Sequence, residues 1–272
     1  MDNRIESGAW PHYGGSRRLV RKLVELMPPD TERIVEAFCG SAVFSLNVPW
    51  LPRVVNDQNR DIIHLLRVVR DRPLELMRLL DTTPYHRKEF ETAVAPLPDD
   101  LDSLERARRL FVRYGMARGG GGQQLIGSDW SRSLAETRTG AMGAVAKFRS
   151  RVARLDTIAA RLAGVQFEAV DFEKLAVYDG ERVFWFLDPP WEPETRRAEA
   201  AARYEWEFGE ADYGRLVGFV RGLKGRVLLI GYDGGVMGDG LGDWRRVDFE
   251  ITLSAGQGRG KRGVVGWCNW GE

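Results

Sequence analysis

The stretch Phe184-Trp185-Phe186-Leu187-Asp188-Pro189-Pro190-Trp191 decides how the chain reads. Four apolar, aromatic-rich residues describe a buried strand, and two consecutive prolines end it, since neither can donate to a ladder. A carboxylate is left at the strand's carboxyl end, the edge at which open α/β sheets bind ligands. Residues before proline are pushed to extended geometry, which aims the Asp188 side chain and the Pro189 carbonyl in one direction. With Trp191 as an aromatic plate, the turn suits a flat ring carrying an exocyclic amino group: the plate stacks, and carboxylate and carbonyl accept the amino hydrogens. Adenine and cytosine both answer that description. A strand-ending turn over a buried tryptophan is the alternative from these residues alone.

Upstream, strand and helix alternate. Arg33 to Phe38 reads as a strand, Cys39-Gly40-Ser41-Ala42 as a glycine turn, and Val43 to Asn47 as the start of a helix, the order that opens a nucleotide-binding βαβ unit. The dinucleotide fingerprint GxGxxG is absent, which argues against hydride transfer. A second strand, Arg53 to Asn56, ends at Asp57, an acid spaced to receive ribose hydroxyls or simply to cap the helix through Ile62, Leu66 and Val69. Gly40 and Asp57 together describe one nucleoside pocket. Earlier still, Tyr13-Gly14-Gly15-Ser16-Arg17 is a glycine-containing loop opening an amphipathic run at Leu19, whose free N–H groups suit an anion.

The alternation breaks between residues 72 and 162. Helical runs are expected over Pro73 to Leu80, Lys88 to Val94, Leu101 to Met116 and Ala144 to Leu162, around a four-glycine segment followed by Gln123 and Gln124. From Arg106 to Arg154 eleven basic residues face two acidic ones, which suits a polyanionic partner or, equally, a solvated helical face. The organisation expected is therefore a catalytic α/β domain from 1–71 and 163–272 with an inserted, mostly helical domain at 72–162, whose arginines and amides suit DNA backbone and base contacts.

Alternation resumes with a strand from Val165 to Val170 ending at Asp171-Phe172, then the Asp188 strand, a polar run from Arg196 to Trp206 read as a lid, a helix from Asp212 to Leu223, and a strand from Arg226 to Ile230 ending at Gly231-Tyr232-Asp233. Two last strands, Val247 to Leu253 and Val264 to Trp270, flank a glycine-rich hairpin loop. With 43% hydrophobic residues, no long apolar run and no signal-peptide core at Met1 to Glu6, a cytoplasmic protein without membrane spans is expected. Two cysteines and three histidines support neither a disulfide framework nor a metal cluster.

The ordered motifs resemble the Dam-like, alpha-group N6-adenine DNA methyltransferase family over nearly the whole chain. Tyr13-Gly14-Gly15-Ser16-Arg17 resembles its N-terminal loop, Glu36 to Ala42 its cofactor loop, Asn56-Asp57-Gln58-Asn59 its acidic segment, and Asp188-Pro189-Pro190-Trp191 its catalytic motif. Three positions depart from the family pattern: Arg17 stands for lysine, Ala42 for glycine and Trp191 for tyrosine. The resemblance implies a Rossmann-like sheet with a reversed final strand, S-adenosylmethionine as methyl donor, and double-stranded DNA as partner, with or without a companion restriction endonuclease. It implies that Phe38, Cys39 and Gly40 pack against the donor, that Asp57 holds its ribose, that Asp171 and Phe172 contact its adenine, and that Tyr13 and Arg17 lie near its methionine end. Asp188 and Pro189, with Pro190 shaping the turn, would grip the amino group of a flipped-out adenine and Trp191 would stack on it. Arg118, Gln123, Gln124, Arg132, Arg149 and Arg151 are the expected nucleic-acid contacts. An RNA adenine methyltransferase and a catalytically silent DNA-binding protein of the same fold are the rival readings.

Overall fold

The computed structural model describes residues 7–11, 19–118, 130–132, 142–191, 208–252 and 261–271. Seven strands, β1 Arg33–Glu36, β2 Arg53–Asn56, β3 Val165–Glu168, β4 Val183–Leu187, β5 Arg226–Gly231, β6 Arg245–Thr252 and β7 Lys261–Cys268, form one sheet in the order β3-β2-β1-β4-β5-β7-β6. β1 to β5 run parallel, and β7 is antiparallel to both of its neighbours, β5 and β6. The expected Rossmann-like α/β sheet with a reversed final strand is the one observed. From β1 the chain winds outward to β2 and β3, then returns to place β4 on the other side of β1. The crevice between β1 and β4 is therefore the topological switch point, where ligands of open α/β sheets bind.

β4 is buried on both faces, as its unbroken apolar run requires. Val183, Trp185 and Leu187 point into one core with Val35, Val227 and Leu229, while Phe184 and Phe186 point into the other with Ile34, Leu228 and Ile230. The first core is closed by α8 Glu210–Gly222, α9 Gly235–Gly240 and a 3-10 turn at Phe172–Tyr178; the second by α1 Val20–Glu25 and by Phe44, stacked 4.1 Å from Phe186.

A third core belongs to the helices between β2 and β3: α2 Arg60–Asp71, α3 Pro73–Thr82, α4 Arg87–Val94, α5 Ser103–Met116, α6 Gly143–Val152 and α7 Leu155–Leu162. The apolar face of α2, including Ile62, Leu66 and Val69, packs with Val55 and Val165 of the sheet and with Leu110, Phe111, Ile158 and Leu162 of the helical stretch. The helices of residues 72–162 thus share a core with the sheet through α2.

Two expected helices take other forms. Residues 41–47 are a series of turns, because Gly40 (φ 49°) and Ala42 (φ 56°) adopt the left-handed region and the Glu36 carboxylate captures the Ser45 N–H at 3.0 Å. The helix anticipated from Ala144 to Leu162 is divided between α6 and α7. Arg154 there leaves helical geometry (φ −107°, ψ 0°) and its guanidinium bonds the Ser7 carbonyl at 3.0 Å. The run from Arg196 to Trp206 lies outside the described residues.

Candidate active site

Because β1 to β5 are parallel, their carboxyl ends bring five loops to one edge of the sheet. Asn56 stitches three of them. Its side-chain amide donates to the carbonyls of Ala37 and Val170 at 2.9 and 3.1 Å and accepts the Val170 N–H at 3.0 Å, tying the loops after β1 and β3 to β2. Asp57 adds a second tie: one carboxylate oxygen accepts the Gly40 N–H and the other the Asn59 N–H, each at 2.9 Å. The helix cap itself is Asn59, which accepts the Asp61 N–H, so Asp57 is a loop-bridging acid rather than the cap of α2. Gly40 and Asp57, paired on sequence grounds, are in direct contact. On the other flank of the loop, Gly8 lies so close to Ser41 that an added Cβ would sit 2.1 Å from the Ser41 hydroxyl, which leaves room there only for glycine.

Phe38 and Phe172 also meet, with ring centroids 5.8 Å apart, and Phe208 closes on both at 5.7 and 6.0 Å. A cavity of about 590 Å³, lined by Gln58, Asn59, Arg106, Val170, Asp171 and Lys174 and by none of these three rings, is of a size suited to a small-molecule ligand. Asp171 accepts the Glu173 N–H at 3.0 Å and pairs with Arg215 at 3.1 Å, whose guanidinium lies 5.1 Å from the Phe172 ring centroid. Cys39 is buried, and desolvation, reinforced by the charges of Asp57 and Glu36, pushes its thiol well above the ordinary range.

At the switch point stands Asp188. The Trp191 indole N–H donates to it at 3.0 Å, and the Trp191 ring meets Tyr232 edge-on at 4.3 Å. Pro190's carbonyl accepts the Tyr213 hydroxyl at 2.9 Å, and among the described residues none donates to the Pro189 carbonyl. Next to this turn Glu36 ends β1, 2% exposed. Burial pushes its carboxyl up to about 8, the charge of Asp188 pushing the same way and the Ser45 amide and Arg53 opposing. Sequence reading noted Glu36 only as the first residue of the loop motif, not as a buried acid, and missed Tyr213, Phe208 and Arg215, which carry no local signal.

Tyr13, Arg17, Gln123 and Gln124 lie outside the described residues. Of the other expected nucleic-acid contacts, Arg118, Arg132 and Arg149 are exposed; Arg149 also bonds the Asp81 carbonyl and Arg151 the Gly115 carbonyl, both at 2.8 Å. Much of the basic run is spent the same way. Arg106 pairs with Asp61, Arg108 with Glu89 and Glu105, and Arg113 bonds the Ala93 and Ala95 carbonyls.

Part of the chain is similar to known proteins. Residues 12–100 match the D12 class N6 adenine-specific DNA methyltransferase family. The D12 segment takes in β1, the 37–48 turns, β2 and the helices to the end of α4; the Asp188 turn lies beyond it. The chain is also similar to the type II methyltransferase M1.LlaDCHI of Lactococcus lactis subsp. cremoris, 27% identical over 106 residues, which cover 36% of this chain and 37% of that protein. The crystal structure of SMU.472 complexed with SAH is similar over 100% of this chain and 55% of that one, at 11% identity and a TM-score of 0.38, too loose to argue from. The chain thus spans just over half of that structure and little more than a third of the Lactococcus protein. No helix of the described residues is long and apolar enough to cross a membrane.

Proposed function

We propose that the chain is a site-specific DNA adenine-N6 methyltransferase using S-adenosylmethionine. The observation that carries the reading is the placement of Asp188-Pro189-Pro190-Trp191 at the β1/β4 switch point, beside the loop where Gly40 and Asp57 are joined and within a chain whose residues 12–100 match the D12 class. The residues fit the donor: Phe38 and Phe172 in ring contact after β1 and β3, an acid at Asp57 that fixes the Gly40 and Asn59 amides, and a cavity lined by Asp171 and Val170 for its base. When bound, S-adenosylmethionine supplies an electrophilic methyl group.

The chain's own task is to make a weak nucleophile attack. The adenine amino lone pair is delocalised into the ring, and accepting both amino hydrogens at Asp188 and the Pro189 carbonyl favours the pyramidal nitrogen that carries charge in the transition state. Trp191 offers its ring to the extruded base, and Tyr13 with Arg17 is assigned to the methionine end. Positioning supplies much of the rest. In duplex DNA the base must leave the stack at a cost of a few kcal/mol, which cationic contacts offset.

For those contacts the best candidates are the exposed Arg132 and Lys147, with Gln123 and Gln124. Exposed Arg132 and Lys147 flank residues that share Tyr85: its hydroxyl bonds the Ser131 carbonyl at 2.6 Å and its ring lies 5.9 Å from Phe148. The chain would act on DNA in the cytoplasm, with or without a companion restriction endonuclease.

The test is Asp188→Asn. Labelled-methyl transfer to DNA should fall at least a hundredfold while donor binding by calorimetry is retained. Near-normal turnover would refute the assignment.

A further inference from the structure

The prolines of the Asp188 turn bring no N–H donors, so the backbone handles of Pro189 and Pro190 are carbonyls alone. The structure divides them. Pro190's is taken by the hydroxyl of Tyr213, a residue 2% exposed on the first turns of α8, while Pro189's receives no donor from the described residues. Two residues further along the same helix, Arg215 reaches both oxygens of Asp171 at 3.1 Å and Glu173 at 2.7 Å, with its guanidinium over Phe172. One helical turn therefore holds the candidate catalytic turn with one side chain and the Asp171–Phe172 corner with another. Phe208, just before α8, packs on Tyr213 at 5.5 Å and on both Phe38 and Phe172.

We propose that the start of α8 is a clamp setting the two halves of the site in register: Tyr213 is a positioning residue for the Asp188-Pro189-Pro190-Trp191 turn, and Arg215 a positioning residue for the donor corner. Fixing the Pro190 carbonyl sets the peptide plane leading into Trp191 and reserves the Pro189 carbonyl for the substrate amino group. Arg215 neutralises Asp171 and Glu173 and holds the buried Phe172 ring, so the Asp171–Phe172 corner at the edge of the cavity keeps its place. The inference rests on the methyltransferase reading of this site.

Steady-state kinetics on Tyr213→Phe and Arg215→Ala, with donor affinity by calorimetry and melting temperature on each, tests it. Tyr213→Phe keeps the ring and loses only the hydroxyl. Its kcat should fall about 10- to 100-fold with donor Kd within twofold, the cost of a misplaced reacting group. Arg215→Ala should act in the opposite sense, raising donor KM and Kd about tenfold, with partial recovery in Arg215→Lys. If Tyr213→Phe leaves kcat unchanged, or if both variants shift kcat and Kd in parallel with the melting temperature, α8 is ordinary scaffold and the clamp is overturned. Asp188→Asn separates the two ideas. Loss of turnover there with a normal Tyr213→Phe enzyme rejects the clamp alone, whereas an active Asp188→Asn enzyme rejects the reading beneath it.

Discussion

The Trp191 indole N–H donates to the Asp188 carboxylate over 3.0 Å, so the fourth residue of the turn orients the first. A hydrogen bond to a charged acceptor is stronger than a neutral one, and this one fixes which way the carboxylate faces. A phenylalanine keeps an aromatic face and has no donor. Trp191→Phe is therefore expected to lower methyl transfer about tenfold or more while Trp191→Ala, which also loses the ring, lowers it further. Rates on a single-site oligonucleotide check this; equal rates for wild type and Trp191→Phe would show that the bond orients nothing that matters.

Ala42 holds φ 56°, a conformation that costs a residue with a Cβ about 1–2 kcal/mol relative to glycine. Glycine gives back part of that gain through the greater freedom of the unfolded chain. Ala42→Gly should stabilise the protein by roughly 0.5–1 kcal/mol, read as a higher midpoint in urea at unchanged slope. A lowered midpoint would mean that the Ala42 methyl, fully buried, contributes more packing than its backbone costs.

Burial holds the Glu36 carboxyl at about 8 in the fold against an ordinary 4.5. Between those values the folded chain keeps a proton that the unfolded chain has released. Its contribution to stability is whole below about 4.5, declines as pH climbs, and is gone above about 8. Glu36→Gln is neutral throughout and can still accept the Ser45 N–H. The two proteins should melt together near about pH 5 and separate as pH rises, the variant ahead by on the order of a few kcal/mol at about pH 9. Thermal melts across that window decide; parallel curves would mean that Glu36 is ionised in the fold.

The arginines divide by what they touch. Arg149→Ala with Arg151→Ala removes bonds to the Asp81 and Gly115 carbonyls and should cost about 1–3 kcal/mol of stability with little change in the salt dependence of DNA binding. Arg132→Ala with Lys147→Ala should do the reverse, leaving the melting temperature alone and reducing the salt slope by about 2. Fluorescence titrations at several salt concentrations read both, and an unchanged slope for the second pair would return these side chains to plain solvated surface.

Much of this architecture is legible in the residues. The apolar run of β4 and its two prolines place Asp188, and the acids and glycines after β1 and β2 place the neighbouring pocket, because strand ends and turns are written in local chemistry. The misses come from side-chain contacts and backbone turns that helical spacing and charge counts do not register. Val43 to Asn47 has helical spacing, yet Glu36 takes the amide of Ser45 and the loop turns left-handed at Gly40 and Ala42. Ala144 to Leu162 reads as one helix until Arg154 reaches Ser7. The basic run from Arg106 counts charges correctly and says nothing of partners, which Asp61, Glu89 and the Ala93 carbonyl provide from other helices. Tyr213 and Arg215 look like ordinary members of an amphipathic helix.

The reversed strand β7 has a bearing on synthesis. It slots between β5 and β6, pairing Val265 to Cys268 with Leu228 to Gly231, and those β5 residues are fully buried. While a ribosome is still short of residue 261, β5 offers that apolar edge to any other extended peptide. A nonsense or frameshift lesion there would freeze the chain in this sticky form. Such lesions should be cleared by chaperones and proteases, or deposit as aggregates, although every residue of the Asp188 turn has already been made.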